Sequence, residues 1–65
     1  MWKVIYMAAS RKAADEIVAY LQSEGFLIKA RPVYKNREDK DNYYEILAPQ
    51  AEAADAREQL MEKGY

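Results

Sequence analysis

Ser10-Arg11-Lys12 sets a hydroxyl and two cations at the point where the sequence opens a helix. Free backbone N–H groups, a hydroxyl and positive side chains are the parts of a phosphate or carboxylate site. Lys35 and Arg37, in a later polar run, could add charge to the same anion. Against this, Arg11 and Lys12 extended into solvent would cost only a few tenths of a kcal/mol each against the helix dipole. There is also no glycine-rich phosphate loop. Glu38, Asp39 and Asp41 offer hard oxygens for a divalent cation, but they lack the spacing and turn glycine of a calcium loop. Lys35, Arg37 and Lys40 are interleaved with them and would repel a metal, so a solvated loop is expected there, with no metal or cofactor.

A third group is Lys3, Lys29 and Arg31 around Tyr43, a ring among cations that could stack a base and hold phosphates. Val4-Ile5-Tyr6-Met7 resembles the first-strand motif of RNA-recognition modules. The third-strand motif departs from that pattern, because Glu45 stands where a stacking ring is needed and would repel phosphate. Catalysis has little to draw on. The chain has no histidine and no cysteine, and nothing evident activates Ser10 or Ser23 as a nucleophile. Disulfides and the usual zinc ligand sets are excluded on the same ground.

These groups need elements to position them, and an internal repeat reveals the elements. Met7-Ala8, Ala13-Ala14-Asp15, Leu21, Gly25 and Phe26 are echoed by Leu47-Ala48, Ala53-Ala54-Asp55, Leu60, Gly64 and Tyr65. Trp2 to Met7 is rich in β-branched and aromatic residues and reads as a strand. Ser10 supplies an N-cap for a helix to about Glu24, with Ala14, Ile17, Val18 and Leu21 as its buried stripe. Gly25 fits a left-handed position after that helix, with Phe26 spaced to pack back on Leu21. Phe26 to Val33 reads as a second strand, and Pro32 assigns it to an edge. Tyr34 to Asn42 is a loop, Tyr43 to Ala48 a third strand. Pro49 suits the first turn of a second helix carrying Ala53, Ala54, Leu60 and Met61.

The order β-α-β-β-α predicts an α+β, ferredoxin-like split βαβ domain over residues 1–65. Its sheet should be antiparallel in the order 1-3-2, with both helices on one face and the fourth strand of the repeat lacking. Trp2 to Met7 is then an apolar edge that only Lys3 blunts. Strict alternation turns Val4, Tyr6, Phe26, Ile28, Ala30, Tyr44, Ile46 and Ala48 towards the helices. It sends Lys3, Ile5, Met7, Leu27, Lys29, Arg31, Tyr43, Glu45 and Leu47 to the open face. Trp2, Val4, Ile5, Met7, Leu27 and Leu47, on that edge and face, are therefore the expected contacts of a homodimer.

Composition limits the function classes. Sixty-five residues make one domain near the lower limit for folding alone. Net charge is −1, with seven Lys/Arg against three acids in residues 1–37 and three against eight in residues 38–65. That balance disfavours a strong nucleic-acid binder. No stretch reads as a signal peptide or a membrane span, so a cytoplasmic protein is expected.

Met-Trp-Lys-Val-Ile-Tyr, the Ala-rich helix, Glu24-Gly25-Phe26 and Tyr44-Glu45-Ile46-Leu47-Ala48-Pro49 together resemble a family of small prokaryotic signal-transducing proteins of unknown function. The resemblance covers nearly the whole chain. It implies a ferredoxin-like, PII-like core and a regulatory or ligand-sensing role, with the functional loop at Tyr34 to Asn42. That loop is shorter than a PII T-loop and the chain has no nucleotide motif, so ATP binding does not follow. The expectation is a non-enzymatic regulatory module, binding a protein or small-molecule partner and acting as a homodimer. Weak binding of RNA or single-stranded DNA through Lys3, Lys29, Arg31 and Tyr43 is the alternative.

Overall fold

A computed structural model describes residues 1–34, 38 and 42–65. Strand β1 (Trp2–Ala8) leads into helix α1 (Arg11–Ser23), then β2 (Lys29–Pro32), β3 (Tyr44–Pro49) and α2 (Gln50–Lys63). The sheet runs β1-β3-β2 and is antiparallel at both junctions. Both helices share one core on one side of it. This is the α+β arrangement that the repeat implies, with β2 on an edge as Pro32 requires.

The helix ends are built as their residues dictate. The Ser10 hydroxyl accepts a hydrogen bond from the Ala13 amide at 3.1 Å, satisfying a donor that the first turn of α1 leaves free. At the other end Gly25 takes φ +94°, and the Phe26 amide donates to the Leu21 carbonyl at 3.1 Å. Helix α2 closes the same way: Gly64 has φ +112° and the Tyr65 amide donates to the Leu60 carbonyl at 3.0 Å. Pro49 lies one residue before α2, as its N-cap, and makes no side-chain capping bond. The first amide of that helix is satisfied instead by the Met1 carbonyl, at 2.7 Å.

Ala14, Ile17 and Leu21 of α1 meet Ala53, Ala56 and Leu60 of α2 over Ile28, Tyr44, Ile46 and Ala48. Ile17, Leu21, Ile46 and Leu60 are the largest side chains fully enclosed in this core. Each contributes roughly 1.5–3 kcal/mol by leaving water. The buried stripe of α2 differs from the expected one at three positions. Ala56 is inside, whereas Ala54 is exposed and Met61 is 66% exposed.

Strand β1 departs from strict alternation. Val4 pairs with Leu47 and Tyr6 with Ile46, so Ile5 is an extra residue at a β-bulge. The bulge turns both Ile5 and Tyr6 towards the helices, where they pack on the core. It also reverses the residues before it: Lys3 falls opposite Ala48 on the helix side, and Val4 opposite Leu47 on the outer side. The expected outward positions of Lys3 and Ile5, and the inward position of Val4, are thereby corrected.

Strand β2 is shorter than the segment Phe26 to Val33. The Leu27 amide donates to Glu52 Oε1 at 2.9 Å, and the Ile28 carbonyl accepts from Gln22 Nε2 at 3.2 Å. Side chains of the two helices thus take backbone groups that a longer ladder would have used. No described helix is long and apolar enough to cross a membrane.

Candidate functional site

The open face of the sheet carries most of the residues singled out above. Trp2, Val4 and Met7 of β1 present apolar surface there, beside Leu27 just ahead of β2; they are 39%, 42%, 50% and 61% exposed. Leu47, expected on the same surface, is only 2% exposed although it lies outside the helix-side cluster. The cause is local. Trp2 pairs with Pro49 and Lys29 with Leu47, and the Lys29 ammonium reaches across β3 to 4.1 Å from the Trp2 ring centroid. Leu47 thus lies between its cross-strand partners Val4 and Lys29, with the Trp2 ring held by Lys29 at the diagonal position, and this apolar surround accounts for its burial. Leu47 is therefore not a contact residue of the face, and Ile5 is not on the face at all.

The cations of the expected nucleic-acid surface are dispersed or engaged. Arg31 donates from Nε and Nη2 to Glu45 Oε1, at 2.9 and 2.8 Å. The pair is partly exposed and is worth less than about 1 kcal/mol. It nonetheless places a carboxylate of the central strand beside Arg31. Lys29 lies on Trp2, and Lys3 is on the helix side of the sheet, away from Tyr43. Tyr43 is half-exposed at the start of β3, its carbonyl accepting from the Val33 amide at 2.9 Å.

The start of α1 leaves Arg11 and Lys12 exposed and Ser10 half-buried. The Ser10 oxygen is used as the cap, and Arg11 lies 4.0 Å from Asp15 one turn on. Lys35 and Arg37 lie outside the described residues, as do Asp39, Lys40 and Asp41, so the loop part of the anion site is left as an expectation. Among the described residues no three metal-type ligands cluster. The base of the loop is well defined: Asn42, 2% exposed, accepts from the Tyr34 amide at 3.0 Å and donates back to the Tyr34 carbonyl. A buried amide side chain here does the work of a ladder pair.

Sequence patterns missed a groove of about 690 Å³ between the outer edge of β1 and α2. Lys3, Val4 and Ile5 form one wall; Ala54, Arg57 and Met61 form the other. Its signal was present in the α2 pattern, where Ala54 and Met61 are apolar but stand off the buried row. Only the bulge at Ile5 brings Lys3 to it. A comparison with known proteins finds no match to this chain among protein families, curated proteins or solved structures.

Proposed function

We propose that this protein is a non-enzymatic, partner-binding regulatory module that acts as a homodimer through the open face of its sheet. The observation that carries the reading is the exposure of Trp2, Val4, Met7 and Leu27 on one side of a three-stranded sheet. Apolar groups gathered on a face opposite the helices gain from cover, each by about 1 kcal/mol when half-exposed to begin with. Association costs entropy, so this gain supports a weak, concentration-dependent dimer. Regulatory, signal-transducing work accords with the resemblance in β1, α1 and β3, and with a loop anchored at its base by Asn42.

Sedimentation equilibrium from low micromolar to millimolar concentration tests the reading. A dimer that weakens in the double variant Met7→Glu, Leu27→Glu is the expected result. An ideal monomer throughout that range contradicts it.

A further inference from the structure

Among the described residues, strand β1 has a neighbour on one side only. Strand β3 lies between β1 and β2, and no described strand pairs with the other edge of β1. The Met1 carbonyl accepts from Gln50 on the β3 side, and Lys3 is opposite Ala48 two residues on. Antiparallel alternation then turns the N–H and C=O groups of Trp2 and Val4 outward, to the free edge. These are hydrogen-bonding groups with a groove beside them, not a closed margin.

The groove has the dimensions of a strand. Its α2 wall runs from Gln50 to Met61, about 16 Å at the helical rise. That length matches about five residues of extended chain. The internal repeat also assigns the place. Helix α1 ends in the Gly25 cap, Phe26 folds back onto Leu21, and β2 follows beside β3. Helix α2 ends in the same cap, and Tyr65 folds back so that its ring meets Tyr6 of β1 edge-on at 5.7 Å. The pseudo-symmetry that carries β1-α1 onto β3-α2 carries β2 into the groove, antiparallel to β1.

The lining states the chemistry of the occupant. Ile5, Ala54 and Met61 offer apolar contact to alternate side chains. Lys3 and Arg57 stand at the walls against a single lining carboxylate, Glu58, and among the described residues neither cation is in an ion pair. A carboxylate on the incoming strand would meet both. A second copy of β1 is the competing occupant of the same edge, and the concentration dependence below separates the two.

We propose that the groove between β1 and α2 binds an extended peptide of about five residues as a fourth strand, with alternate apolar side chains and at least one carboxylate. This rests on the partner-binding reading but uses the outer edge of β1 rather than the sheet face. Trp2 and Val4 border both, so Met7 and Leu27 report the dimer, the Ala54–Met61 wall reports the peptide, and the two can fail separately. The test is a ¹⁵N–¹H titration of the full chain with the capped pentapeptide Glu-Val-Thr-Val-Glu. Controls are the same peptide with a central proline and with lysine for glutamate. The expected result is shifts at Trp2 to Tyr6 and along the Ala54–Met61 wall, with contacts between peptide and Val4 amides. Binding should weaken by roughly tenfold in Lys3→Glu, Arg57→Glu, whose dispersed spectrum verifies folding. The proline peptide should not bind and the lysine peptide should bind more weakly. No shift at millimolar peptide, shifts on the open face instead, or equal binding of the controls would overturn the proposal. Concentration-dependent shifts confined to the Trp2 and Val4 amides, with Met7 and Leu27 fixed, would assign the edge to a second copy and overturn it too.

Discussion

The Lys29 ammonium sits 4.1 Å from the centroid of the Trp2 ring, spanning the central strand between the two edges of the sheet. Beneath that bridge Leu47 is as buried as a core residue, on the side of the sheet that has no helix. The ring and the lysine stem, with Val4 directly opposite on β1, here do for one leucine what the helices do for the opposite face.

Replacing Trp2 with alanine should therefore uncover Leu47 and cost about 1–2 kcal/mol, read from the midpoint of a urea titration. Lys29→Ala, which removes the cation but leaves the ring, should cost about 0.5–1 kcal/mol. If Trp2→Ala leaves the midpoint unchanged, the ring does not cover Leu47.

The two apolar residues at the end of α2 should behave in opposite ways. Leu60 is 2% exposed and packs in the core, whereas Met61 is 66% exposed at the groove. Leu60→Ala should cost about 2–5 kcal/mol, enough to unfold much of so small a domain at room temperature. Met61→Ala should stay within about 0.5 kcal/mol. Circular dichroism during thermal melting separates these outcomes directly.

Asn42 closes the base of the loop through the backbone of Tyr34. Asn42→Ala removes both of these part-buried bonds, for a loss of about 0.5–1.5 kcal/mol each. The effect should be local as well as global. Hydrogen exchange at the Val33 and Tyr34 amides should accelerate more than at Ile46 in the middle of β3.

Gly25 sits at φ +94°, and a Cβ added there meets nothing within 4 Å. The cost of Gly25→Ala is then purely conformational, about 1–2 kcal/mol. Gly25→Asn should recover part of it, because asparagine tolerates the left-handed region. Equal stability of the alanine and glycine proteins would show that the cap adapts.

How far the sequence could be read depended on how local each signal was. Ser10, Gly25, Gly64 and the Leu21–Phe26 spacing act within one helix turn, so the helix ends were legible, as was the β-α-β-β-α order. Pro32 placed β2 on an edge through its own missing donor. The bulge at Ile5 was not legible, because one extra residue in a run of Val, Ile and Tyr leaves no compositional mark. Its effect was large: it exchanged the faces of Lys3 and Val4 and so took Lys3 from the open face to the groove. The burial of Leu47 escaped notice because its cover comes from residues 45 positions before it and 18 before it in sequence, Trp2 and Lys29. The late start of β2 depended on Gln22 and Glu52, side chains whose bonds to backbone follow only from the packed helices.

The central claim is that the open sheet face is where two copies meet, and a dilution series of ¹⁵N–¹H spectra tests it most directly. Between low micromolar and millimolar protein, the amides of Trp2, Val4, Met7 and Leu27 should shift together along one binding curve, while Ala14 and Leu60 stay fixed. Spectra that superimpose at every concentration, or shifts confined to α2 and the start of α1, would contradict it.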